Sequence, residues 1–467
     1  MRRSLNRNLL AIFLLVIFQT FLAAQTQPAA GMQQNIDTLA TDILARTGVP
    51  SASVAVVKDG QIIYVRAYGN ARFEPQTAAN PEMRYSIGSI SKQFTAAAML
   101  ILHEGGKLSL DDKVAKFLPD LTGANEVSIR QLLSHTSGYQ DYWPQDYVMP
   151  TMLQPVTAQK ILDTWAHKPL DFKPGTKWQY SNTNYVIAGL IVEKASGTPL
   201  MQFLQQNVFK PLEMKSVSDI DQAKLGDTDP TGYMRYALGP LHPAPKEGKG
   251  WLFAAGELAM TAQDLAKWDV SIIDQRLMKP SSYRDFETEV VLNDGLGTRY
   301  GLGVDITSEF SHRMLSHGGE VSGFTAENVV FPDDHVAIVV LTNQDAAEAA
   351  GQIARSIAPL LLTSGDPQTT ARLEQAKKIF EGLQHGTIDR SLFTDNANFY
   401  FSEQALKDFA SSLGPLGTPV NFTLTRQALR GGMKLRVFEV TFPGKTLRAW
   451  TYEMPDGKLE QYQVATQ

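Results

Sequence analysis

Residues 85–100 read YSIGSISKQFTAAAML. Ser89 stands three residues before Lys92, where an apolar run predicts a helix from about Ser89 to His103, closed by Gly105 and Gly106. Residues i and i+3 share a helix face, so the hydroxyl and the amine point into one place. A serine hydroxyl is a poor nucleophile until a neighbouring base takes its proton. Lysine is that base when burial or nearby positive charge lowers its pKa. The unpaired N–H groups at the helix start favour negative charge developing beside the serine. The same four residues also describe a plain helix start, since serine is a favoured N-cap and a lysine one turn on is commonplace.

Two further segments bear on the choice. In FKPGTKWQYSNTNYVIAGLI, Tyr180-Ser181-Asn182 precedes a helix that Gly197 stops. Alternate residues of an extended segment face the same way, so Tyr180 and Asn182 both reach one cleft. A tyrosinate there is stabilised by a lysine ammonium, which lets the pair share proton transfer. A buried tyrosine with a capping asparagine is the plainer description, and a second Y-x-N occurs at Tyr68-Gly69-Asn70. In LSHGGEVSGF, His317-Gly318-Gly319 lies in strand-like text. Paired glycines serve no packing purpose in a strand, but they let a backbone or a ligand come close. A bulge with a surface histidine is the alternative.

Outward from these segments, SASVAVVKDGQIIYVRAYGN reads as two strands joined by a tight turn at Asp59-Gly60. Strand character returns in RMLSHGGEVSGF and AENVVFPDDHVAIVVLTNQD, followed by the helical AAEAAGQIARSIAPLLL. The text between is mainly helical, VSIRQLLSHTSGYQDYW included. The fold class is therefore α+β: an antiparallel sheet built from both chain ends, flanked by helices, with a mainly helical insertion. The polar segment 363–370 reads as a linker, and 371–467 as a small α+β domain of helices followed by hairpin-connected strands. This second domain resembles the cone-shaped NTF2-like class.

The chain of 467 residues has no cysteine, which excludes disulfides, thiol catalysis and zinc–thiolate sites. Its net charge is −5 with no long run of one sign, so neither a nucleic-acid partner nor a polybasic membrane contact is expected. The eight histidines include no His-Glu-x-x-His pair, and no metal or other cofactor is expected. MRRSLNRNLLAIFLLVIFQTFLAAQ has the layout of a secretory signal peptide over residues 1–24, which places the mature protein in the bacterial periplasm or outside the cell. Membrane contact is expected through that segment alone.

Taken in order, YSIGSISKQFTA, SIRQLLSHTSGY, FKPGTKWQYSNTNY, AAGELAMTAQDLAKW, TRYGLGV and HGGEVSGF resemble the serine β-lactamase and penicillin-binding protein superfamily, in its class C-like branch. The resemblance runs from about Asn35 to Leu362, within a serine hydrolase domain read as residues 33–362. It implies Ser89 as nucleophile, Lys92 as its base partner and Tyr180 as a proton carrier. It further implies that Asn182 contacts substrate or lysine. The His317, Gly319 and Glu320 strand would border the substrate, with the backbone N–H of Glu320 joining that of Ser89 at the oxyanion. Many members carry Lys-Thr-Gly where this chain has His317-Gly318-Gly319, a version similar to that of the branch's esterases, D-aminopeptidases and some DD-peptidases. Histidine titrates near neutrality, unlike a fixed lysine cation.

The expected function is an exported serine hydrolase acting through an acyl-enzyme on a small-molecule or peptide substrate with an ester, amide or lactam carbonyl. Esterase or D-amino-acid peptidase activity ranks first. A class C-like β-lactamase and a non-catalytic cell-wall-peptide-binding protein stay open. The aromatic and Pro-rich stretches QDYWPQDYVMPTM and YMRYALGPLHPAPKEGKGW are expected to border the cleft.

Overall fold

The computed structural model describes residues 30–466 apart from 146, 224, 311 and 363–366. The stretch at residues 1–24, expected to be a signal peptide, lies outside the described residues. Among those described, no helix is long and apolar enough to cross a membrane.

Valine-rich strands from the two ends of the domain meet at its centre. Ser51–Lys58 pairs antiparallel with Val336–Thr342, with Ala55 opposite Val339. Around this pair the sheet has seven strands, in the order Gln76–Ala78, Gln61–Phe73, Ser51–Lys58, Val336–Thr342, Phe324–Phe331, His312–Val321, Asp305–Glu309. Both central strands are buried on both faces, and their side chains alternate between two cores. Val54, Val56, Ile338 and Val340 pack under the Ala30–Thr47 and Ala349–Leu361 helices. Ala55, Val57, Val339 and Leu341 face the other way, toward the Ser91–Glu104 and Ala262–Ile273 helices. The front turn is as tight as its sequence requires: Asp59 and Gly60 both have positive φ, 52° and 70°.

The Ser91–Glu104 helix is almost wholly buried. A run of amide contacts pins it. Gln93 Nε2 donates to Asn328 Oδ1 and Trp268 Nε1 to Gln93 Oε1, while Asn328 Nδ2 reaches Asp269. Helix, strand and second helix are thus locked in one register. The alternative of a serine capping the helix does not hold: Ile90 stands at the cap position, with no side-chain cap. Ser89 lies in a 3₁₀ turn, Gly88–Ile90, ahead of the helix, and Ser91 Oγ accepts from the Leu258 N–H.

The insertion is less helical than its sequence suggests. In VSIRQLLSHTSGYQDYW only Ile129–Leu133 is helical. The chain turns at His135, whose φ is +58°. At Gly138 it passes so close to Phe172 that a Cβ would stand 2.3 Å from the carbonyl oxygen. Tertiary approach, which no local propensity records, ends that helix. The Asn182–Ser196 helix follows expectation, with Gly197 left-handed at its end.

In the second domain, the Pro367–Gln384 helix begins inside the stretch read as a linker. Proline is pre-organised for a first helical position, so the polar composition misled. Helices Asp395–Tyr400 and Glu403–Leu413 follow. Four strands, Asn421–Arg430, Met433–Phe442, Lys445–Glu453 and Leu459–Thr466, then pair in chain order. Phe380, Leu383, Phe438, Val440 and Tyr462 form a core of its own.

Candidate active site

Three segments converge on Ser89. Its turn sits against the His312–Val321 strand with no side chain between. A Cβ on Gly88 would lie 2.6 Å from the Glu320 nitrogen, and one on Gly319 would lie 1.9 Å from the Ile87 carbonyl oxygen. Gly88 also has φ +52°. Two glycines are therefore what bring the backbone nitrogens of the Ser89 turn and of Glu320 side by side. The Asp305–Glu309 strand pairs with it only as far as Ser316, one residue short of His317.

Lys92 is fully buried. Its Nζ lies 3.0 Å from Ser89 Oγ, 2.8 Å from Asn182 Oδ1 and 2.8 Å from the Ala255 carbonyl oxygen. The Tyr180 and Tyr185 rings lie beneath it, at 5.0 and 5.5 Å. Burial brings its pKa down to about 7, against the pull of the Asp141 and Glu257 carboxylates. The Tyr180 hydroxyl hydrogen-bonds to Ser89, and Tyr180 is half-buried. Its pKa does not fall as expected beside a lysine. Desolvation raises it, aided by Asp141 and Asp305, so the group is a phenol and not a tyrosinate.

His317 also departs from expectation. It is buried, and its Nδ1 lies 2.6 Å from the Gly318 carbonyl oxygen, an acceptor only. Nδ1 therefore carries the proton, and Nε2 accepts from the Tyr300 hydroxyl at 3.0 Å. Burial, then the nearby Lys92, pushes its pKa down to about 4. The ring is neutral through the neutral range and does not titrate there. Gly318 is exposed, and the Glu320 carboxylate turns away to accept from the Ala346 N–H at 2.8 Å.

Sequence reasoning missed two residues. His135 holds Tyr180 on three sides. Its carbonyl accepts from the Gln179 N–H at 3.0 Å, its Nδ1 from the Ser181 N–H at 3.2 Å, and its ring stacks on Tyr180 with centroids 4.3 Å apart. Asp141 accepts from both the backbone and the side-chain N–H of Asn182. The only local sign of the first was a histidine before Thr-Ser-Gly. The second lies in the stretch 140–152 expected to border the cleft, but nothing there marked out its role.

Ser89, Tyr180, Asn182, His317, Gly319 and Glu320 line one cleft of about 730 Å³. Of the first aromatic stretch, Asp141, Trp143, Tyr147 and Val148 form part of its wall. Contrary to expectation, the second stretch, residues 233–251, is not part of the lining. It packs against the end of the His317 strand instead, with Glu247 Oε1 accepting from the Ser322 N–H. Beyond Gly318 the wall carries Glu320, Glu327, Asp345 and Glu348 against Arg355. Among the described residues, no group of acidic and histidine side chains is arranged to hold a metal.

The chain resembles D-aminopeptidase of Brucella anthropi, 30% identical over 298 residues, which is 63% of this chain and 56% of the relative. It thus spans little more than half of that relative's length. The D-stereospecific amidohydrolase from a Streptomyces species superposes with a TM-score of 0.59 at 26% identity, covering 69% of this chain and 96% of the other. The octameric penicillin-binding protein homologue from Pyrococcus abyssi is 22% identical, with a TM-score of 0.63 over 92% of this chain and 99% of the other, and shares the fold. The beta-lactamase family profile runs through residues 36–361, from the first helix to the last helix of the domain that carries Ser89, and the chain belongs to that family.

Proposed function

We propose that this protein is an exported serine hydrolase that cleaves ester or amide bonds through an acyl-enzyme on Ser89, acting on small acyl or D-amino-acid substrates. The observation that carries this reading is the contact of 3.0 Å between Lys92 Nζ and Ser89 Oγ, at a buried site that lowers the amine's pKa to about 7. The layout of residues 1–24 supports export.

Above about pH 7 the Lys92 amine is neutral. It takes the Ser89 proton as Oγ bonds to the substrate carbonyl carbon. The oxyanion receives the backbone N–H groups of Ser89 and Glu320, which the two glycines hold together. As the tetrahedral adduct collapses, the leaving nitrogen or oxygen takes a proton from the Tyr180 phenol. Lys92 restores that proton to Tyr180. Water attacks the acyl-enzyme, with the same two groups removing and returning its proton.

Charge supports the choice of substrate class. His317 is neutral, so the third segment offers no fixed cation for a carboxylate. The wall past Gly318 carries more carboxylates than cations. A substrate with a free ammonium suits it better than an anionic lactam, and the likeness to a D-aminopeptidase supports the same choice. The test is mass-spectrometric mapping of a fluorophosphonate adduct, with turnover of p-nitrophenyl butyrate, a D-alanyl anilide and nitrocefin. An adduct on Ser89, anilide turnover above nitrocefin turnover, and loss of all of it in Ser89→Ala are expected. Esterase turnover that survives Ser89→Ala would overturn the reading.

A further inference from the structure

A neutral lysine amine has two hydrogens and one lone pair. For it to act as a base, the lone pair must face Ser89, so both hydrogens need acceptors elsewhere. The Ala255 carbonyl oxygen at 2.8 Å is one. Asn182 Oδ1 at 2.8 Å is the other, but a carboxamide has nearly the same shape when flipped, and the flipped form would present an N–H to the lysine. Asp141 decides between them. Its carboxylate accepts only. Oδ2 lies 3.3 Å from Asn182 Nδ2, and Oδ1 takes the backbone N–H of Asn182 at 3.0 Å and of Trp143 at 3.1 Å. A flipped amide would set oxygen against oxygen.

We propose that Asp141 is a positioning residue for the Lys92 base: through the Asn182 amide it uses one amine hydrogen and turns the lone pair onto Ser89 Oγ. This rests on the reading of Ser89 and Lys92 as nucleophile and base. Asp141 is 41 residues from Asn182 in the chain.

Asp141 also acts on Lys92 by charge. The groups facing the amine are the Asp141 and Glu257 carboxyls, the Tyr180 and Tyr185 rings, and the neutral His135 and His317. Burial raises both carboxyls, Glu257 well above the usual range, and of the two Asp141 has the larger pull on the amine. Removing its charge lets the Lys92 pKa fall further.

The test follows the rate of fluorophosphonate labelling of Ser89 against pH, with kcat and KM for the uncharged ester p-nitrophenyl butyrate. Asp141→Asn is expected to slow labelling by about 100-fold. It should lower kcat with KM unchanged and move the acidic limb of the pH profile to lower pH. Asp141→Glu keeps the charge, so its limb should stay at the wild-type pH; it is the informative variant if Asp141→Asn does not fold. In an Asn182→Ala background, Asp141→Asn should slow labelling little further. A raised KM with unchanged kcat would instead make Asp141 a substrate contact and overturn the proposal. An unmoved limb with additive losses would overturn it too. If the wild type is not labelled at Ser89, the underlying reading fails; if it is labelled and Asp141→Asn matches it in rate and midpoint, only this proposal fails.

Discussion

Gly319 and Ile87 meet backbone to backbone: a methyl group on the glycine would stand 1.9 Å from the Ile87 carbonyl oxygen. No rotamer change relieves such a clash, because both partners are main chain. Gly319→Ala must therefore push the strand away from the Ser89 turn. The expected result is a stability loss of about 1–3 kcal/mol and a larger proportional loss of kcat than of substrate binding, since the oxyanion donors separate. Thermal melting and steady-state kinetics check this. Wild-type kcat in Gly319→Ala would mean that the close approach has no part in the chemistry.

His135 gives a second prediction. His135→Phe keeps a ring against Tyr180 but removes the acceptor for the Ser181 N–H. An unpaired buried N–H costs about 1–3 kcal/mol. A lowered melting temperature and a reduced kcat are expected together, because the same contact carries the fold and the placement of the phenol. Unchanged melting and kinetics would show that the stacked ring alone suffices.

A third concerns His317, which is neutral above about pH 4. His317→Asn is expected to leave the acidic limb of kcat/KM where it is, since that limb belongs to Lys92. A limb that moves with His317→Asn would reassign the titration to the histidine.

A fourth is a stability experiment. The Lys92 pKa is about 7 when folded and 10.5 in its reference state. The unfolded chain therefore binds more protons between those values, and stability rises with pH across that window. Below about pH 7 the buried amine costs the fold on the order of 5 kcal/mol. Lys92→Met should abolish labelling of Ser89 yet raise the melting temperature, more at pH 6 than at pH 10. A destabilised Lys92→Met at pH 6 would contradict the burial argument.

The sheet was legible because both central strands are continuous apolar runs with marked turns, Asp59-Gly60 and Pro332-Asp333-Asp334. The nucleophile segment was legible because its chemistry is local: a hydroxyl and an amine one turn apart. Tyr180 and Asn182 were found as one extended dipeptide step. His135 and Asp141 were not, since each acts by touching a segment more than 40 residues away, a distance at which spacing carries no signal. The states of Tyr180 and His317 were misread for the same reason. Their pKa values are set by burial, which a string of residues does not display.

The central claim is that a neutral Lys92 activates Ser89, and the pH dependence of Ser89 acylation tests it most directly. The rate of fluorophosphonate labelling should rise with pH to a plateau, with its midpoint near 7, and the adduct should map to Ser89 alone. A rate that is flat through that midpoint, or an adduct on another residue, would contradict it.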